Sequence, residues 1–437
     1  GPAHQKGAVV ADFDAIVVGS GCAGPVAAYE LAKAGRSVLV VERGNVCGAK
    51  NVSGGRLYTH SLRAVFPDFA QSAPLERRIV RERISMLAPD AATTLDVSDE
   101  LMRDQRYESY SVLRARFDPW LAGQAEQAGA EFINGIAVES LLTQDGRVSG
   151  VRAGEDEITA DVVLLCDGVN SLLVPQAVGA ERPTPDQVAV GIKHVIGLPE
   201  KVISDRSLCA DGEGMAWLFV GDATQGRIGG GFLYTNRDTI SIGLVATVSD
   251  LVDADTPIYQ LLDDFTRHPS VAPMIAGGTV LEHSGHLVAE GGYDAMPPLV
   301  GDGVLLAGES ALMCVNAGYT VRGMDFAIAA GQQAGRSAAA ALEAGDTSAT
   351  GLAGYRTALE DSFVLKDLKL LRRVPRFMEN TPRIFGTYPA LARDAMRSLF
   401  LVDGTPMNPV RRSMLPLARR VGYLNLARDL SRGVKAL

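Results

Sequence analysis

The chain has 437 residues, of which 47% are hydrophobic and 21% charged, so it is long enough for two or more structural units with a substantial core. This composition excludes an intrinsically disordered chain, and we find neither an apolar segment of membrane-spanning length nor a secretory signal. The cysteines lie far apart, without the spacing of metal ligands, so we expect no metal site and a reduced, cytoplasmic protein.

The formal net charge of −9 is unevenly distributed along the chain. Residues 366–437 hold 15 Lys and Arg against 5 Asp and Glu, a local charge of +10, which leaves −19 on the preceding residues. A basic tail on an acidic body is typical of a region that docks an anionic protein or a membrane surface. The alternative is a helical face with solvated arginines. No nucleic-acid partner is expected, because no recognition motif accompanies the charge.

The first predicted unit is a strand, a turn, a helix and a second strand. Apolar runs at 15–18 and 38–41 are typical of buried parallel strands. Residues 25–34 between them are rich in Ala, Leu, Glu and Lys, which favour a helix. Three glycines lie in the turn: Gly19, Gly21 and Gly24. In this order they permit the tight turn, the approach of a pyrophosphate to the backbone, and the packing of the helix on the strand.

An acid completes this pattern. Glu42 ends the second strand 18 positions after Gly24, where its carboxylate can accept hydrogen bonds from a ribose and would repel the extra phosphate of NADP. The unit therefore predicts a dinucleotide site, whose phosphates face the N–H groups of the helix N-terminus. We include Ala23 in the turn and Arg43 beside the acid. Cys22 is interpreted as a small filler residue rather than a redox group.

The next segment, residues 44–55, is polar and rich in glycine. Because it follows the ribose-binding strand, it is placed to run along an extended dinucleotide. We expect the following residues to reach the ring system of the cofactor: Lys50, Asn51, Ser53 and Gly54. The alternative is an ordinary surface loop.

The middle of the chain alternates between the predicted nucleotide unit and other strands. Residues 75–112 alternate charged and apolar residues, as half-buried strands do, and a helix through residue 127 is predicted to start at Asp118-Pro119. Strands at 132–142 and 148–151 are joined by a hairpin turn. The buried strand from residue 161 ends in Asp167-Gly168, which we expect to contact cofactor or substrate, the alternative being a simple turn.

Residues 188–248 contain strands without intervening helices, which predicts an antiparallel sheet that covers the cofactor as a second domain. The glycine run at 226–231 has no helix after it, so we expect no second dinucleotide site. Electrons are then expected from a substrate or a protein rather than from bound NAD(P)H. The histidines of the strand-rich region, His194, His283 and His286, are interpreted as structural, with a proton-transfer role as the alternative. No catalytic acid or base is assigned.

A last strand reaches Gly308 and Glu309, and a long helix is predicted at 326–344. A strand-end acid and glycines before a helix are what the ribityl chain and pyrimidine edge of a flavin require, so the predicted cofactor is FAD. Glu309 can accept a ribityl hydroxyl, and the helix start at Gly323 and Met324 directs N–H groups at the pyrimidine carbonyl, favouring the anionic reduced flavin. Gly318 and Arg322 join the candidate site. For the arginine the alternative is a surface charge.

The tail from residue 361 is predicted to be helical and rich in arginine. Four apolar side chains there, Met378, Phe385, Tyr388 and Leu399, are interpreted as packing on the main body, with membrane contact as the alternative.

Five stretches together resemble one family. Residues 48–58, 229–238, 285–293, 318–328 and 363–369 resemble the FixC flavoproteins, relatives of electron-transfer-flavoprotein:quinone oxidoreductase and, more distantly, of geranylgeranyl reductases. The resemblance runs from about residue 12 to about residue 400. It implies an α/β fold with a glutathione-reductase-type FAD-binding Rossmann domain, an antiparallel-sheet substrate domain and a helical C-terminal region. It also implies that Arg114 lies near the pyrophosphate.

With the strand pattern, the resemblance predicts a chain that passes several times between domains. FAD-binding segments are expected at 12–75, 113–180 and 296–345, substrate-domain segments at 76–112 and 181–295, and a helical basic region at 346–437.

The resemblance implies an FAD-dependent oxidoreductase that moves electrons between an electron-transfer flavoprotein and a quinone or a ferredoxin-like acceptor. An alternative is a tailoring enzyme that oxidises, reduces or hydroxylates a small biosynthetic intermediate, and a third is a binding protein without turnover.

The sequence departs from the family pattern in two ways. Glu309 stands where the family has Asp, which moves the carboxylate out by about 1.5 Å. No cysteine follows Cys314, so the iron–sulfur cluster of larger relatives is not expected here.

Overall fold

The computed structural model describes residues 9–48, 55–252 and 255–437. Nineteen strands occur within these ranges, most of them in two large sheets. In chain order they are β1 (Phe13–Val18), β2 (Val38–Glu42), β3 (Arg56–Tyr58), β4 (Leu75–Ala88), β5 (Ala91–Ser98), β6 (Ser109–Val112), β7 (Glu131–Asn134), β8 (Val138–Gln144), β9 (Arg147–Ala153), β10 (Asp156–Leu165), β11 (Val188–Gly197), β12 (Glu213–Gly221), β13 (Gly229–Thr235), β14 (Thr239–Thr247), β15 (Thr279–Ala289), β16 (Val300–Gly301), β17 (Val304–Leu306), β18 (Val315–Asn316) and β19 (Val321–Arg322).

Sixteen helices accompany these strands in the described ranges, and seven of them follow one another after residue 345. They are α1 (Ala23–Lys33), α2 (His60–Val65), α3 (Arg114–Gln127), α4 (Val174–Val178), α5 (Glu200–Ser207), α6 (Val248–Val252), α7 (Ile258–Arg267), α8 (Ala272–Ile275), α9 (Met324–Ala344), α10 (Ala349–Leu352), α11 (Gly354–Asp361), α12 (Phe363–Leu370), α13 (Val374–Glu379), α14 (Thr387–Phe400), α15 (Val410–Val421) and α16 (Tyr423–Ala436).

The first sheet has the order β16-β17-β10-β1-β2-β7. β1 lies between β10 and β2 and runs parallel to both, with Val17 opposite Leu164 on one side and Val40 on the other. The central residues of β1 are fully buried, as expected for a parallel strand covered on both faces. The predicted parallel strands at 15–18 and 38–41 are therefore confirmed.

Helices α1 and α9 cover one face of this sheet and pack unusually close to each other. A Cβ atom at Gly331 would lie 2.4 Å from the carbonyl oxygen of Ala23, and one at Gly335 would lie 2.5 Å from that of Ala27. These glycines are one helical turn apart on α9, so they form a flat strip against which the backbone of α1 packs. The close crossing holds the N-terminal turn of α1 in a fixed position over the sheet.

The second sheet has the order β15-β11-β14-β13-β12-β4-β6-β3, with β5 on β4. The predicted antiparallel arrangement is found for every neighbouring pair in the described residues except β4 and β12, which run parallel with Ile84 opposite Leu218. These two strands come from distant parts of the chain, so no hairpin turn imposes an antiparallel direction on them. Helix α7 covers one face of the sheet with Leu261, Leu262 and Phe265.

Two predictions about the middle of the chain need correction. The predicted strand at 132–142 is two strands, because β7 pairs with β2 in the first sheet while β8 forms a hairpin with β9. Helix α3 begins at Arg114, not at Asp118, since the two side chains form a bidentate ion pair across its first turn, with N–O distances of 2.6 and 2.9 Å. The predicted turn at Asp145 and Gly146 is confirmed, with φ angles of 54° and 76°.

The C-terminal region is helical, as predicted, and its first part packs on the main body. Phe385 is buried, and Met378 and Tyr388 line a cavity, whereas Leu399 is 38% exposed. No helix in the described ranges has both the length and the apolar character needed to cross a membrane.

A buried arginine links the separate segments of the second sheet. Arg77 on β4 is 2% exposed, and no carboxylate pairs with it among the described residues. Its guanidinium instead donates five hydrogen bonds, to the backbone carbonyls of Glu200, Glu213, Asn236 and Arg237 and to Ser204 Oγ.

We expect Arg77→Met to lower the free energy of unfolding by about 3 kcal/mol, because several buried acceptors lose their donor at once. Urea denaturation checks this value. Arg78→Met is the matched control: the neighbouring guanidinium makes a single hydrogen bond of 3.3 Å to Arg103 O, so a much smaller loss is expected. Equal losses in the two variants would contradict the role given to Arg77.

Candidate functional site

A cavity of about 820 Å³, here called the main cavity, lies where the two sheets meet. The carboxyl ends of β1, β10 and β17 reach it through residues 18–23, 166–168 and 307–309. Since these strands are parallel neighbours, their ends open at one edge of the sheet, which is where α/β folds bind ligands. Strands of the second sheet form the opposite wall.

The turn after β1 requires glycine on steric grounds. Gly19 has a φ of 98°, and a Cβ there would lie 2.2 Å from Cys166 O. A Cβ at Gly24 would lie 2.0 Å from Gly19 O, so this glycine serves packing and does not line the cavity. Gly21 and Ala23 do line it. Within the described part of the chain, the first N–H groups of α1 have no side-chain cap, so they remain available to an anion.

Cys22, in the same turn, is buried. Burial raises the pKa of its thiol to about 12, so the side chain stays neutral at physiological pH. This is consistent with the interpretation of Cys22 as a small filler residue.

Glu42 is held in place by two backbone donors. Its Oε2 accepts a hydrogen bond of 2.7 Å from Ser20 N, and its Oε1 accepts one of 2.9 Å from Gly44 N. Each oxygen keeps a free lone pair, so the carboxylate can still accept hydroxyl donors from the cavity that it lines. Arg43 lines the cavity beside it and is exposed.

Asp167 has an unmet hydrogen-bonding requirement. Its Oδ1 is buried and has no partner within the described residues, while the residue lines the cavity together with Gly168. Burial raises the pKa of this carboxyl to about 6, although a hydrogen bond from Ser171 opposes the shift. A buried acceptor without a partner, next to a cavity, indicates a donor on a bound ligand.

Glu309 lies beside the N-terminus of α9. A Cβ at Gly323, the residue before this helix, would be 3.8 Å from Glu309 Oε1. Burial raises the pKa of Glu309 to about 7, partly offset by the charge of Arg114 and by a hydrogen bond from the Cys314 thiol. Gly308, Gly318, Gly323 and Met324 also line the cavity.

The other two arginines of the candidate site have different surroundings. Arg114 lines the cavity at the start of α3. Arg322 does not line it: its guanidinium donates to Asp325 and Asp367, with N–O distances of 2.6 Å to each, and lies 4.5 Å from the ring centre of Phe326. Arg322 thus fixes the start of α9 against α12 rather than facing the cavity. The positions predicted at Lys50, Asn51, Ser53 and Gly54 lie outside the described residues.

Of the polar groups that the second sheet contributes, sequence reasoning missed Lys193 and Glu290 and interpreted His286 as structural. Lys193 is buried and lines the cavity, and burial lowers the pKa of its amine. His286 also lines it, and burial lowers the pKa of the imidazole to about 4, so it is neutral. Glu290 lines the cavity as well. One signal was available, since Lys193 and His194 interrupt an otherwise apolar strand.

Most of the opposite wall is apolar. From the second sheet come Ile84, Met86, Leu218, Val220 and Phe232, and from the C-terminal region Phe377, Ile384, Phe385 and Leu437. The cavity therefore joins a polar, phosphate-compatible edge to an apolar end beside the C-terminal helices.

Comparison with known proteins identifies the family. Residues 12–219 match the FAD binding domain, and residues 374–437 match the ETF-QO/FixC family C-terminal domain. The chain is 48% identical to the probable electron transfer flavoprotein-quinone oxidoreductase YdiS of Escherichia coli K12, and 49% identical to protein FixC of Escherichia coli O157:H7. Each alignment covers 97% of this chain and 99% of the relative.

A solved structure of similar fold is the geranylgeranyl bacteriochlorophyll reductase-like protein of Thermoplasma acidophilum. Its TM-score is 0.71 at 17% identity, and the match covers 96% of this chain and 99% of that one. This likeness confirms the predicted fold class.

The residues of the main cavity fit FAD: a turn that only glycine can form, an anchored acid at the next strand end, and an unpartnered Asp167 oxygen all face one space of suitable volume. The predicted cofactor therefore agrees with the matched domain. By its sequence, its fold and its FAD-binding domain, the chain belongs to the ETF-QO/FixC family and is an FAD-dependent oxidoreductase.

Proposed function

We propose that this protein takes electrons from an electron transfer flavoprotein and passes them, through FAD in the main cavity, to a quinone. The observation that carries the proposal is the continuity of the cavity, which runs from the glycine turn to an apolar end formed by α13, Phe385 and Leu437. The printed name of the YdiS relative, identical at 48% of aligned positions, includes both the flavoprotein and the quinone. Bound FAD supplies reversible two-electron chemistry, split into single-electron steps.

For the cofactor, we assign a place to each cavity-lining group. The turn at Gly19 and Gly21 and the N-terminus of α1 hold the pyrophosphate, with Arg114 beside it, because N–H groups and a guanidinium attract phosphate. Glu42 accepts the ribose hydroxyls. Asp167 and Glu309 accept hydrogen bonds from the linker between the phosphates and the rings, and the N-terminus of α9 faces the pyrimidine edge.

For the acceptor, the apolar wall favours a quinone over a charged metabolite. Phe232 and Leu218 lie on neighbouring strands, directly opposite one another, and present a continuous apolar surface. An ionic substrate would have to give up its hydration shell there. A ferredoxin-like protein remains the alternative acceptor, and a small biosynthetic intermediate the alternative substrate.

The C-terminal surface suits a peripheral membrane contact. Phe400, Leu401 and Val402 follow one another at 74%, 71% and 79% exposure, and Met407 is 84% exposed. Helices α15 and α16 carry further exposed leucines next to arginines, within a region of local charge +10. Exposed apolar side chains next to arginines are suited to the surface of an anionic bilayer, where the apolar groups enter the acyl region and the arginines contact the headgroups. Leu437, at the end of this region, lines the main cavity, so an apolar quinone can enter from the membrane side.

The function is tested by anaerobic mixing with reduced electron transfer flavoprotein. The flavin absorbance should bleach within milliseconds to seconds and should return when a quinone is added. NADH in place of the flavoprotein is the matched control and should leave the spectrum unchanged. An unbleached flavin, or bleaching by a small metabolite alone, would favour the tailoring-enzyme alternative.

Glu42→Gln should weaken FAD binding about tenfold to hundredfold, because the amide nitrogen cannot accept the bonds that one carboxylate oxygen accepts. Titration of the stripped protein with FAD, followed by flavin fluorescence, measures the Kd. Glu131→Gln, an exposed acid on the neighbouring strand β7, is the control and should bind like the wild type. An unchanged Kd for Glu42→Gln would remove this residue from the site.

Leu401→Asp with Val402→Asp should reduce binding to phosphatidylglycerol vesicles about tenfold or more, since burial of two apolar side chains is lost. Sedimentation with vesicles measures the bound fraction. Leu208→Asp, at an exposed leucine outside this region, should have no effect. If the double variant sediments like the wild type, the basic region docks an acidic protein or remains solvated.

A further inference from the structure

A second cavity of about 680 Å³ adjoins the main one. Its lining is polar and charged, with acids from several loops and arginines from α13 and the turn before it. In the described ranges, four residues line both cavities and so form the wall between them: Glu290, Cys314, Asn316 and Met378. A polar, water-compatible space is thus separated from the cofactor space by a thin wall.

Only one of these four side chains can exchange a proton near neutral pH. Asn316 and Met378 do not ionise, and burial keeps the pKa of the Cys314 thiol well above its usual value. Burial raises the pKa of Glu290 to about 7, where both protonation states are populated. The wall therefore contains a single group suited to carrying protons.

Hydrogen bonds fix the position of Glu290 but leave one oxygen of its carboxyl unbonded within the described residues. The chain leaves β15 at Ala289, and Glu290 N donates to Gln187 O at 2.8 Å, which fixes the backbone. Its Oε2 accepts a hydrogen bond of 2.8 Å from Thr247 Oγ1. Its Oε1 has no hydrogen-bond partner among the described residues and is not fully buried, so it can give or take a proton.

The groups around Glu290 come from each element that borders the second cavity. Asp250 of α6 raises the pKa of Glu290, and Asp186 lies in the loop before β11. Asp294 pairs with Arg372 at 2.7 Å, so these charges largely cancel. Arg373, Arg376 and Glu379 complete the rim. On the main-cavity side, Glu309 accepts the Cys314 thiol hydrogen bond.

We propose that Glu290 is a proton relay, which passes protons from water in the second cavity into the main cavity when the acceptor is reduced. This role rests on the proposed function. Reduction of a quinone to its quinol consumes two electrons and two protons, and the electrons come from the protein donor. Two relay cycles supply the two protons of one quinol. In each cycle the Glu290 carboxyl releases one proton towards a quinone oxygen, and the carboxylate is then reprotonated by a hydronium ion from the water of the second cavity, which becomes water.

The test uses the FAD-loaded Glu290→Gln variant, which keeps the size of the side chain and an acceptor for Thr247. Reduction by the electron transfer flavoprotein should be unchanged, whereas reoxidation by quinone should be at least tenfold slower. The wild-type reoxidation rate should fall as the pH rises through 7, because the protonated fraction of Glu290 falls, and the variant should show no such dependence. Glu282→Gln, an exposed acid on β15 that lines neither cavity, should behave like the wild type.

Infrared spectroscopy of the resting protein provides a readout that needs no turnover. The wild type should lose the carbonyl band of a protonated carboxyl as the pH passes 7, and Glu290→Gln should lack that part of the band. Reoxidation at wild-type speed in Glu290→Gln, or equal slowing of both half-reactions, would overturn the relay and leave the proposed function standing. Failure of the wild type to reduce a quinone would instead reject the proposed function.

Discussion

The parallel pairing of β1 with β2 and β10 is the constraint on which the rest of the site depends. The hydrogen bonds of this pairing align the three strand ends, so Gly19, Glu42 and Asp167 open at one edge although they are far apart in the chain. The packing of α9 on α1, made possible by Gly331 and Gly335, adds the second helix N-terminus to the same edge. This framework therefore places Gly19, Glu42, Asp167 and the N-terminus of α9 together at the cofactor site.

Folding also places acids where ionisation is costly. Burial raises the pKa of Asp167 to about 6 and those of Glu290 and Glu309 to about 7. An unfolded chain releases these protons near pH 4, so the folded chain binds more protons between about pH 4 and pH 7, and these groups lower stability as the pH rises through that window. Such acids reduce stability at neutral pH, which is consistent with a functional reason for their presence.

Local sequence patterns predicted the nucleotide-binding half of the site. They could not predict the residues that pairing between distant strands brings to the other half. Gly19 and Glu42 were predictable because strand, turn and helix follow one another within about 30 residues. Lys193 and Glu290 were missed because their position depends on how β11 pairs with β14 and β15. Arg322 was predicted in the site because it lies next to a helix start. In the structure its guanidinium instead pairs with Asp325 and with Asp367, which is 45 residues away. The parallel pair of β4 and β12 carries no local sequence signal.

That parallel pair also constrains the order of assembly. β4 is completed at Ala88, but its partner β12 begins only at Glu213, and the second part of the nucleotide-binding unit lies between them. During synthesis on the ribosome, β4 emerges long before β12. The edge of β4 that pairs with β12 therefore stays unpaired while the intervening unit is made. Until β12 is made, this edge offers unpaired N–H and C=O groups to other chains, so early completion of the second sheet protects the new chain from such pairing.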